Sequence, residues 1–158
     1  MQSLYHIALV IHIIGFTMMA GTTLVDYVVT KQFWKQYAID KTKGPSIYET
    51  ISKIVLLFGI GIILIILSGV AMMAITRGAF GEQTWFRIKF ALVIVIIING
   101  LVVGRRQGRK LKNILSAGLA GNSMEASLSK IKSNLSWFHV SQMMLFSIIF
   151  ILSVFKFN

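Results

Sequence analysis

Residues 6–26 read HIALVIHIIGFTMMAGTTLVD. The stretch is long and apolar enough to cross a bilayer, yet it carries His6, His12 and Asp26. Working outward from it, further apolar blocks occupy residues 54–75, 86–103 and 137–155, and the first block extends over 4–29. Each is roughly 18 to 26 residues long, which a helix needs to cross ~30 Å of hydrocarbon. A closed barrel needs short alternating strands, and none of these blocks alternates. The pattern predicts an all-α, integral membrane, up-down four-helix bundle in a single domain over residues 1–158. Its helices are expected at about 3–30, 52–76, 84–112 and 136–156.

Composition agrees: 56% of the 158 residues are hydrophobic and there is one proline. The first block lacks the basic lead and cleavage site of a signal peptide. No cysteine is present, which excludes disulfides, iron–sulfur clusters and thiolate metal sites. The net charge of +11 is unevenly placed. Twelve cations lie in the two longer loops: Lys31, Lys35, Lys41, Lys43 and Lys53, then Arg105, Arg106, Arg109, Lys110, Lys112, Lys130 and Lys132. Only Arg77, Arg87, Lys89 and Lys156 fall on the other side. The asymmetry predicts cytoplasmic longer loops, both termini outside, and a bacterial inner membrane. It accounts for the basic charge through orientation and an anionic leaflet, without nucleic acid.

Connections are punctuated by Gly44-Pro45 in the first loop and by Gly78 and Gly81 in the short outer turn. The start of the third loop is expected to extend helix three. Gly121-Asn122 reads as a stop, and Ser123 to Glu125 as the cap of a short amphipathic helix.

In lipid the inward face of a helix is marked by small and polar residues. Ala8, His12, Gly15, Met19, Thr22 and Asp26 form one such stripe. His6 lies about 120° away at ~100° per residue. Depth along the helices separates two polar clusters. One surrounds His12 near Ser68 and Met72; the other comprises Asp26, Asn99 and His139. His12 and His139 thus sit at opposite ends. Asp26 either orients His139 or pairs with Arg105, Arg106 or Lys31. Asn99 reads as interhelical glue. An ionisable group within a span is a functional candidate by default.

Haem b is the cofactor these residues suggest. His12 supplies an axial imidazole, with Gly15, Gly61 and Gly69 leaving room for a porphyrin. Arg77, Arg87, Lys89 and Lys156 are cations for its propionates. Met72, His6 or an open position completes the iron. His139 with Asp26 is a second metal-ligand candidate. The pairs Met18-Met19, Met72-Met73 and Met143-Met144 admit copper as the weaker alternative. No nucleophile triad, phosphate loop or His-Glu-x-x-His motif occurs.

HIIGFTMMAG in helix one, WFRIKFALVIVII in helix three and the ending ILSVFKF resemble the small four-helix membrane proteins of the HemJ-type protoporphyrinogen oxidase and CopD-like group. That resemblance implies haem b or porphyrin binding at His12. It also implies a histidine late in helix three, where this chain has Asn99 and Gly100. The expected function is therefore haem-dependent redox chemistry or electron transfer at the membrane. Its partners would be a quinone or porphyrin, and a redox protein or second copy. Porphyrinogen oxidation, copper or small-solute transport, and a structural accessory subunit are the alternatives.

Overall fold

The computed structural model describes residues 2–117 and 122–155. Helix α1 runs over Gln2–Ile39, and a 3-10 turn at Lys41–Lys43 leads into α2, Gly44–Ile75. Asp40 caps that turn by accepting from the Thr42 backbone N–H at 3.0 Å and from its hydroxyl at 2.6 Å. These bonds hold the exposed Asp40 carboxyl below its ordinary value of 3.8. Pro45 opens α2, where its missing N–H costs nothing, so the Gly44-Pro45 pair starts the helix.

After α2 the chain turns through a Schellman motif. Gly78 N–H donates to the Met73 carbonyl at 2.9 Å and Arg77 N–H to that of Ala74 at 3.2 Å. Arg77 takes the left-handed position at φ 51°, where glycine is usual. Helix α3 covers Thr84–Asn99, a π-helical turn covers Gly100–Gly104, and α4 covers Arg105–Ala117. Helix α5 is continuous over Asn122–Phe155.

The helices overrun the expected bounds. At ~1.5 Å per residue, the 38 residues of α1 span about 57 Å, well beyond ~30 Å of hydrocarbon. A second core explains the excess. Near the basic end Phe33, Tyr37, Leu111, Leu128, Ile131 and Leu135 pack together, giving the expected loop residues an apolar surface to cover. The separate amphipathic helix expected after Ser123 is therefore the first part of α5. Gly121, read with Asn122 as the stop of the preceding helix, lies outside the described residues, and no glycine or proline interrupts 122–155. The deeper core joins Met19, Ile65, Ile96, Phe146 and Ile149.

Helix α1 packs along α2 and also touches α5, which packs on α3; α2 and α3 hardly approach one another. Gly15 and Gly61 set the α1–α2 contact. A Cβ on Gly61 would lie 2.9 Å from the Gly15 carbonyl oxygen and 2.7 Å from Met19 Cγ. Outward, Leu4, Ile7, Val10, Leu56, Leu67 and Phe150 are exposed, an arrangement stable only under lipid.

Candidate functional site

Two polar pairs cross the bundle, at opposite ends as expected. Near the hairpin end, His12 Nδ1 and Ser68 Oγ are 2.9 Å apart. Ser68 also donates to the Leu64 carbonyl, so it accepts from the imidazole and fixes Nδ1 as the protonated nitrogen. Nε2 then carries the lone pair. Gly69 lies against the same ring, its Cβ position 3.7 Å from His12 Cε1.

The other residues assigned to this end are dispersed. His6 is exposed and meets the edge of the Tyr5 ring. Arg77 is exposed in its turn, and Arg87 donates to the Gly81 carbonyl at 2.9 Å. Met72 accepts the Thr76 hydroxyl on its backbone carbonyl. Lys156 lies outside the described residues. The room expected beside Gly15 and Gly61 is taken by the contact between α1 and α2.

Nearer the basic end, Asp26 Oδ2 and His139 Nε2 are 2.9 Å apart, and His139 is 1% exposed. Among the partners left open by the sequence, His139 is the one observed. Lys31 instead stands over the Tyr27 ring, 4.5 Å from its centroid. Nε2–H donates to the carboxylate, leaving Nδ1 as an acceptor. Asp26 Oδ1 and His139 Nδ1 are both buried without a hydrogen-bond partner among the described residues.

Asn99 belongs to a separate knot. Its amide donates to Gln142 Oε1 at 2.9 Å and to Ser141 Oγ at 3.3 Å, while Gln142 donates to the Ile96 carbonyl at 3.0 Å. It ties α3 to α5, the interhelical role its position suggested.

Asp26 borders a cavity of about 420 Å³, within the ~300–1,000 Å³ range of small-molecule sites. The cavity lies between α1, α2 and the segment from Gly100 to Leu111, which α2 meets through Phe58 and Tyr48. It lies between the two cores, with Phe58 beside the deeper one and Leu111 and Leu135 in the other. Thr22, Thr23 and Thr30 line its α1 side, and the exposed Arg105 and Arg109 its α4 side.

Three glycines spaced four residues apart shape the opposite wall; two face an aromatic ring and the third a tyrosine hydroxyl. Added Cβ atoms would stand 2.9 Å from Phe58 Cε1 at Gly100, 3.1 Å from Phe138 Cζ at Gly104, and 3.3 Å from the Tyr48 oxygen at Gly108. Tyr48 donates to the Gly108 carbonyl at 2.8 Å. These residues were not among the candidates from sequence. The four-residue glycine spacing, overlapping Asn99-Gly100, was the available signal.

Four long apolar helices, an outer surface for lipid and polar pairs held inside define an integral membrane four-helix protein. Residues 6–157 match the model of a family described as predicted integral membrane protein, DUF2269, and the chain belongs to that family. The match carries no link to the HemJ-type or CopD-like group. Comparisons with curated proteins and with solved structures returned no match.

Proposed function

We propose that the protein takes a small amphiphile from the bilayer into the cavity at its basic end, as part of membrane redox chemistry. The observation that carries this reading is a largely buried carboxylate beside that cavity, with one oxygen holding His139 and the other, itself buried, without a partner among the described residues. A buried polar atom of this kind is costly unless something completes it. Val55, an exposed apolar residue on the α2 side of the cavity, gives a tailed molecule an apolar edge to lie against. The twelve cations of the longer loops support a cytoplasmic basic end, and a bacterial inner membrane suits that charge distribution.

The test is extraction of lipophilic molecules from protein purified in mild detergent, with mass spectrometry of the extract. A near-stoichiometric amphiphile is expected from the native chain and should be lost from Val55→Trp. Val55 is a partly exposed residue of the cavity wall, so bulk there fills the site without disturbing either core. Equal content in the two proteins would sink the proposal.

Haem b at His12 is the second reading, favoured because Ser68 fixes Nδ1 and leaves Nε2 for a metal. The residues of α1 and α2 do not fit a porphyrin between them, since Gly15 and Gly61 are in direct contact. Haem would have to meet the half-buried ring from outside that contact. Sharp reduced α and β absorption bands lost in His12→Ala are its expected signature; a flat visible spectrum from protein made with ample haem would dismiss it. Copper analysis on the same sample tests the thioether alternative.

A further inference from the structure

The charges around the cavity restrict the head group that can enter. Asp26 Oδ2 is taken by His139, and the remaining Oδ1 of a carboxylate can only accept a hydrogen bond. A head group offering only acceptors would place oxygen against oxygen there. An anionic head without a donor would leave Oδ1 unmatched, and an ammonium would face Arg105 and Arg109, which line the same cavity. A neutral head with a hydroxyl donor satisfies all three.

The walls add shape to that chemistry. Phe58 and Phe138 line the cavity from α2 and α5, packed against the backbone at Gly100 and Gly104, so aromatic rings form part of the wall that a flat ring would meet. Tyr48, whose proton goes to Gly108, retains an oxygen lone pair able to accept from a second hydroxyl. Donor, flat ring and apolar flank together describe an aromatic diol carrying an alkyl or isoprenoid tail.

Resting on the cavity reading above, we infer that the site selects the hydroquinone form of a tailed quinone over the quinone itself, through a hydrogen bond from a ring hydroxyl to Asp26 Oδ1. His139 acts as a positioning residue by holding the other carboxylate oxygen. No electron transfer is required for this selectivity.

The test is equilibrium binding of three probes to the full chain in lipid nanodiscs. They are a decyl-substituted hydroquinone, kept reduced, the corresponding quinone, and the dimethyl ether of the hydroquinone. The hydroquinone is expected to bind at least about tenfold tighter than either of the others, the cost of an unmatched buried acceptor. Asp26→Asn supplies the sharper readout. Its amide oxygen can still accept from His139, which turns the NH2 group toward the cavity, so the preference should collapse or reverse in favour of the quinone.

Equal binding of all three probes to the native chain overturns the inference but leaves the cavity reading standing. So does a phospholipid as the sole co-purifying amphiphile, with no probe able to displace it. Absence of any bound or co-purifying amphiphile removes both. Retention of the full hydroquinone preference in a folded Asp26→Asn protein also overturns the inference, because the selectivity would then arise elsewhere.

Discussion

A carboxylate and an imidazole 2.9 Å apart, the imidazole almost wholly buried, form a pair neither partner can leave cheaply. Hydrogen bonds involving a charged group contribute about 1.5–3 kcal/mol, whereas interhelical hydrogen bonds in membranes average nearer ~0.6 kcal/mol. Asp26 lies at the low-dielectric edge of a cavity rather than facing lipid, which favours the upper range. Asp26→Ala and His139→Ala are each expected to destabilise the protein by about 1–3 kcal/mol in mixed-micelle unfolding. The double variant should cost less than the sum, with a coupling of about 1 kcal/mol or more. Additive losses would show that the two side chains do not stabilise one another. Both residues were visible in the sequence, because ionisable groups stand out in apolar runs. Their pairing was not, since Arg105, Arg106 and Lys31 offered equal chemistry and only packing of α1 on α5 decides among them.

At the scale of elements, close approach is set by glycine, and the contacts distinguish glycines that matter from those that do not. Gly61 has Met19 and the Gly15 carbonyl where its Cβ would go, whereas Gly59, on the same helix, has nothing within 4 Å. Gly61→Ala must push α1 and α2 apart and is expected to cost about 1–3 kcal/mol. Gly59→Ala should be neutral or stabilising by up to ~1 kcal/mol, through helix propensity alone. Unfolding of both variants in the same detergent checks the contrast, and equal responses would contradict it. The spacing of small residues in helix one revealed its inward face. It did not reveal whether the space was kept for a cofactor or closed by a neighbouring backbone, because both uses need the same residues. The reverse happened at Gly100, Gly104 and Gly108. There the segment was read for a histidine it lacks, while its glycines face the rings of Phe58 and Phe138 and the hydroxyl of Tyr48.

The whole molecule is a membrane bundle continued, at one end, by a layer with its own apolar core. Helix count and apolar spans were legible because hydrocarbon thickness imposes a length that composition records directly. The protruding layer was read as loops, since its amphipathic faces hold many cations and become helical only when α1, α4 and α5 cover one another. That layer bears the positive excess, and its orientation can be measured without interference because the chain has no native cysteine. Lys132 is exposed on α5 in the basic layer, and Glu82 is exposed in the turn between α2 and α3. If the cations hold their end in the cytoplasm, Glu82→Cys will react with a membrane-impermeant maleimide on intact cells. Lys132→Cys will react only after permeabilisation. The opposite pattern would invert the protein and place the basic end, with Arg105 and Arg109, on the outer side. Labelling of both sites on intact cells would mean that the chain inserts in two orientations and that twelve cations against four do not fix it.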